Sequence, residues 1–96
     1  MRPIDHRLFL AAYSGDVEQV RRLLQEGADV DARTGDGKTP LMIAAIAGRE
    51  DVVEVLIQAG ADVHARDAYG YSVLTWATQR GHGGVVARLR AVGARQ

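Results

Sequence analysis

Three histidines, His6, His64 and His82, are the side chains of this 96-residue chain best suited to hold a metal or to move a proton near neutral pH. Ser14 and Ser72 could act as nucleophiles beside a His and a carboxylate, but neither lies in a motif that arranges such partners. Asp and Glu are numerous enough for an acid–base pair, yet most stand at expected helix starts or in a recurring Gly-Ala-Asp, where the duty is structural. Gly35-x-Gly37 has no third glycine and no strand before it, so it reads as a turn and not as a phosphate cradle. Residues 68–96 carry Arg80, Arg88, Arg90 and Arg95 and no acid, a local positive charge that could touch phosphate or an acidic partner. The competing reading is that Arg near a helix C-terminus complements the dipole and solvates the end of a stack.

Composition narrows the elements that could position these groups. The chain has room for one domain; 47% of it is apolar and 25% charged, an ordinary soluble composition. Twelve basic residues balance twelve acidic ones, which argues against a dedicated nucleic-acid or anionic-membrane binder. With no cysteine, disulfides, thiolate zinc sites and a thiol nucleophile are excluded. The longest apolar run, Leu41 to Ala47, is too short to span a bilayer, and Leu8 to Tyr13 is too short for a signal-peptide core. A cytoplasmic protein is expected. Eleven of the basic residues are Arg and Asn is absent, a skew toward GC-rich codons that points to a bacterial source.

The organising feature is an internal repeat. Gly-Ala-Asp-Val stands at Gly27–Val30 and at Gly60–Val63, and Gly-Ala returns at Gly93–Ala94, each 33 residues on. Leu8, Leu41 and Leu74 fall into one column, as do Ala11, Ala44 and Ala77, and Gly15, Gly48 and Gly81. Residues 8–33 match 41–66 at 13 of 26 positions, and 34–63 match 67–96 at 9 of 30, without a gap. The chain is one domain, 1–96, of three copies, about 1–33, 34–66 and 67–96. The three histidines then occupy different columns (a cap, a loop and a second-helix start), which scatters them along the stack; no metal or cofactor is expected.

In the middle copy, Gly35-Asp36-Gly37 makes a tight turn, Thr39 offers a cap, and Pro40 pre-sets the first helical residue. Leu41 to Ala47 forms a short helix ended by Gly48. Glu50 and Asp51 open a second helix with an apolar stripe at Val52, Val53, Leu56 and Ile57, stopped by Gly60. Neither helix buries its apolar face alone; each must stack on a neighbouring copy.

Gly37-Lys38-Thr39-Pro40-Leu41 with Ala44-Ala45 and Gly48, then Val53–Ile57 with Gly60-Ala61-Asp62-Val63, resembles the signature of the ankyrin-repeat family over the whole chain. The family's usual His after Thr-Pro-Leu is Met42 here, Thr75 in the third copy and Phe9 in the first, and its loop Asn is Asp31 and His64, which weakens individual cap bonds. The resemblance implies an all-α ankyrin-repeat solenoid: six helices in three stacked helix-turn-helix pairs with β-turn fingers projecting at about 34–38 and 67–71. The expected core is Leu8, Leu10, Val20, Leu23, Leu24, Leu41, Ile43, Val52, Val53, Leu56, Ile57, Leu74, Val86 and Leu89; Trp76 stands in the column of Leu10 and Ile43, with part of its ring expected to lie exposed because the last copy lacks a neighbour. Gln19 and Arg22 replace Val52 and Val55, and Arg88 and Arg90 replace Val55 and Ile57. Arg22, Arg88 and Arg90 are therefore expected to face solvent as caps of a complete, monomeric chain.

The resemblance further implies a non-catalytic protein–protein interaction module; a regulatory or inhibitory subunit of one specific enzyme is the alternative. The surface implied is the set of turn tips and the concave first-helix face: Arg33, Asp36 and Lys38 at one tip, Arg66, Tyr69 and Tyr71 at the next, and Tyr13, Ser14, Ile46, Ala47, Gln79 and Arg80 along the helices. All three tyrosines fall in this set, and Tyr and Arg often anchor interfaces. The partner is another protein of unknown identity, with no nucleic acid and no membrane.

Overall fold

The computed structural model describes residues 1–96. Six helices follow in order: α1 (Pro3–Ser14), α2 (Val17–Gln25), α3 (Pro40–Ala47), α4 (Glu50–Gln58), α5 (Val73–Gln79) and α6 (Gly83–Ala91). Helix α1 packs on α3 and α3 on α5, while α2 packs on α4 and α4 on α6, so first and second helices form two layers. There is no strand beyond an isolated bridge between Arg66 and Ser72, and no helix is long and apolar enough to cross a membrane.

The local chemistry sets these boundaries. Thr39 Oγ1 accepts from the Met42 N–H at 3.3 Å and Ser72 Oγ from Thr75 N–H at 3.2 Å, capping α3 and α5; Asp16 does the same for α2 through Gln19 N–H at 3.1 Å. Prolines open α1 and α3. Each finger is closed by its own backbone, Thr34 to Lys38 at 2.9 Å and Asp67 to Tyr71 at 3.0 Å. The recurring Asp29 and Asp62 each fold the loop back, accepting from Asp31 N–H and His64 N–H. Asp31 in turn accepts from Asp62 N–H at 2.9 Å, joining copy one to copy two.

Second helices α4 and α6 have no side-chain cap of their own; their N-cap residues reach backward. Arg49 Nε donates to Tyr13 O at 3.0 Å, and His82 Nε2 donates to Ile46 O at 3.0 Å, each satisfying an orphan carbonyl at the end of the preceding first helix. Gly15 and Gly48 make room: both are left-handed, with φ of 80° and 73°. A β-carbon there would lie 2.9 Å from Arg49 Cδ and 2.8 Å from the His82 ring, respectively.

Leu8, Val20, Leu23, Leu41, Val52, Val53, Leu56, Leu74 and Leu89 are buried as expected, with Ala11, Ala44 and Ala77 among them where first helices meet. Leu24, Ile43, Ile57 and Val86 lie half-buried at the edge of this core. Leu10 corrects the expectation: it is 57% exposed. Met42, which stands where the family usually has His, is fully buried.

Comparing columns shows which way each side chain points. Pro40 and Val73 are buried where Arg7 is exposed, and Val52 and Val85 are buried where Gln19 is half-exposed, so these columns face the preceding copy. Ala12 and Ala45 are buried where Thr78 is exposed, so that column faces the following copy. Arg22 and Arg90 are exposed, as expected of end residues. Arg88 is not a cap facing solvent: it turns toward α4, with Nη1 3.0 Å from Glu54 Oε2 and Nε 3.6 Å from Glu50 Oε2.

Candidate interaction face

The columns of Leu10, Ile43 and Trp76 and of Tyr13, Ile46 and Gln79 stand three residues apart on each first helix, hence on one side of it. Leu10 is exposed there, while Ile43 and Trp76 are half-buried at the edge of the core. Tyr13 is 62% exposed, Gln79 exposed, Ile46 and Ala47 half-buried, and Ser14 exposed with its hydroxyl donating to Ala11 O. Beside Leu10 and Tyr13 an open hollow of about 470 Å³ runs over Arg7, Ser14 and Gln19.

The two fingers continue this face and are locked together. Ala68 N–H donates to Asp36 O at 2.9 Å. The Arg33 guanidinium donates to Gly37 O at 2.9 Å and to Arg66 O at 2.6 Å, and Arg66 repeats the pattern on Gly70 O and Gln96 O. Arg33 and Arg66 are thus exposed but already occupied as staples. Lys38 Nζ lies 2.8 Å from Asp36 Oδ2 and 3.4 Å from Asp67 Oδ2. It also sits 5.1 Å from the Tyr69 ring centroid and 4.8 Å from that of Trp76.

Asp67 is the hub, and sequence reading passed over it. Its side chain is fully buried; Oδ1 accepts from Tyr69 N–H and Tyr71 N–H, each at 3.0 Å, and Oδ2 from Trp76 Nε1 at 2.8 Å. Burial opposes its charge, but the N–H groups of Tyr71, Trp76 and Tyr69, with Lys38, outweigh it and hold the carboxyl below the usual range. Hydrogen bonds from Lys38 and then Thr34 hold Asp36 low as well. The bond to Asp36 raises Lys38 against the opposing effect of burial, with Asp67 adding to it.

Above Asp67 the aromatic rings assemble. Tyr71 meets Trp76 edge-on at 5.4 Å, Tyr69 lies 6.4 Å from Tyr71, and the exposed Arg80 guanidinium sits 5.9 Å from the Trp76 centroid. Tyr69 is 66% and Tyr71 41% exposed, while Trp76 is half-buried. Trp76, whose ring is partly exposed as expected, joins the second finger to the α5 face, and Leu10 extends that face at the other end. The signal for Leu10 was available: it stands three residues before Tyr13.

Chemically, this surface offers aromatic area, aliphatic area and cations, of which Arg33 and Arg66 are held by finger carbonyls and Lys38 by Asp36. No group of three or more His, Asp or Glu converges as metal ligands would.

The model of ankyrin repeats matches residues 8–95 in three copies. The chain belongs to the ankyrin-repeat family. Members of this family generally mediate protein–protein interaction and are typically non-catalytic. No curated protein matches the chain. In this ankyrin-repeat chain the fingers and first-helix face are continuous through Lys38 and Trp76.

Proposed function

We propose that this ankyrin-repeat domain binds a partner protein through its two finger tips and first-helix face, as a monomer when free, and carries out no catalysis itself. The observation that carries the reading is the apolar and aromatic stripe of Leu10, Tyr13, Ile43, Ile46, Trp76, Tyr71 and Tyr69, which crosses all three copies while the core lies behind it. Large exposed aromatic side chains held by rigid neighbours lose little freedom on binding, which suits them as anchors. Affinity capture from the source organism with the whole chain as bait, followed by mass spectrometry, identifies the partner. Tyr69→Ala and Tyr71→Ala should each weaken binding to it by ~1–3 kcal/mol while the melting temperature stays nearly constant. If both variants bind at wild-type affinity, the contact surface lies elsewhere.

A further inference from the structure

We infer that the partner presents an acidic segment with an adjoining large apolar residue, and that it lands at the third-copy end of the face, on Tyr69, Tyr71, Trp76 and Arg80. The inference rests on the interaction-face reading above and adds the chemistry of the occupant.

The second helices mix both signs, Glu18, Glu50, Asp51 and Glu54 with Arg21, Arg22, Arg88 and Arg90, whereas the first-helix columns of Leu10, Tyr13 and Ser14 hold no carboxylate in any copy and one cation, Arg80. Every Asp and Glu of the chain stands at or before Asp67. At the fingers, Arg33, Lys38 and Arg66 outnumber Asp36 and Asp67. Of those two acids, Asp36 is ion-paired with Lys38 and Asp67 is buried beneath the rings with its oxygens occupied.

Arg80 differs from the other cations here. Lys38 has two carboxylates, and Arg33 and Arg66 have backbone carbonyls, but Arg80 has no carboxylate partner and lies exposed beside Trp76. An Arg at the end of a helix also complements its dipole, which accounts for its sign but not for its station beside the ring. A guanidinium held against an aromatic face keeps its N–H fork free, and a carboxylate matches that fork in a planar, two-pronged contact. The exposed rings of Tyr69 and Tyr71 alongside take the apolar neighbour.

The test selects a displayed library of short random peptides against the whole chain, wild type and Arg80→Glu. From wild type, the recovered peptides should pair Asp or Glu with Leu, Phe or Trp, bind more weakly at high salt, and lose affinity for Tyr69→Ala and Tyr71→Ala. Arg80→Glu should weaken them about tenfold and select neutral or basic sequences instead, while the chain stays folded with a melting temperature lowered only slightly by the reversed charge at the end of α5. Peptides that need the tyrosines but show no acidic enrichment, or that bind Arg80→Glu as well as wild type, would overturn the acidic assignment and leave the face intact. Peptides indifferent to both tyrosines would overturn the face itself and this inference with it. Displacement of the acidic peptides by polyuridylate would reassign Arg80 and the rings to a nucleic acid.

Discussion

The Trp76 indole N–H donates to the Asp67 carboxylate at 2.8 Å, so a ring at the surface of α5 is anchored to a buried charge at the base of the second finger. Asp67→Ala strips acceptors from Trp76 and from the amides of Tyr69 and Tyr71 and should cost ~1–3 kcal/mol in urea unfolding. Trp76 fluorescence should shift as well, because its N–H partner is gone.

The same cluster sets a pH dependence. Asp67, Asp36 and Asp5 all lie below the ordinary carboxyl value of 3.8 in the folded protein. For Asp5 the causes are first the hydrogen bond from Arg2 and then that from Asp29 N–H. Their contribution is present in full above the unfolded value and is lost as pH falls through the folded values. Lys38 lies above 10.5, so its contribution holds below that and is lost as pH rises through its folded value. A melting-temperature profile should be level across neutral pH and fall below about pH 4. Asp67→Asn should make the acid limb shallower.

Gly48 and Gly81 separate two costs. Both are left-handed, at 73° and 72°, but a β-carbon at Gly48 meets the His82 ring at 2.8 Å, whereas at Gly81 nothing lies within 4 Å. Gly81→Ala should cost only the backbone strain, ~1–2 kcal/mol. Gly48→Ala should cost more, since it also pushes His82 off Ile46 O. Equal losses in chemical denaturation would show that the His82 bond contributes nothing.

Leu10 and Leu56 make the corresponding comparison for burial. Leu56 is fully buried on α4, so Leu56→Ala should cost ~2–5 kcal/mol in chemical denaturation. Leu10→Gln, at a site 57% exposed, should change stability by no more than ~0.5 kcal/mol.

Arg88 pairs with Glu50 and Glu54 at positions about two-fifths exposed, where solvent screens much of the attraction. Arg88→Ala should lower stability only slightly in chemical denaturation, and the loss should shrink in high salt. A larger, salt-independent loss would mean that its aliphatic stem matters more than its charge.

The stacked-helix architecture was legible because a strict period of 33 repeats leucine, alanine and glycine in register, and each has one packing reason to recur. The exposure of Tyr13, Tyr69 and Tyr71 was legible because residue types change there at columns that do no packing. It was misread at Leu10 because an apolar residue in a repeated column looks like core. A short first helix is covered by its second helix and its neighbouring copies, and the remaining side is wet whatever stands there. Asp67 left no signal, since its column holds Thr34 in the copy before and its donors arrive only when the finger folds back over α5. Arg88 was misassigned because substitution of an apolar residue says that a site has become polar, not which neighbour it now faces.

The ties between copies each reach across roughly one period: Arg33 to Arg66, Asp62 to Asp31, Arg49 to Tyr13, His82 to Ile46, Arg88 to Glu54. None joins the first copy directly to the third. Cooperativity must therefore pass through α3 and α4, which act as a keystone. Removing side-chain volume there, as at Leu56, weakens the stack on both sides at once and should shift the whole transition. The equivalent truncation at Leu89 should leave the first two copies coupled and appear as early amide exchange confined to α5 and α6.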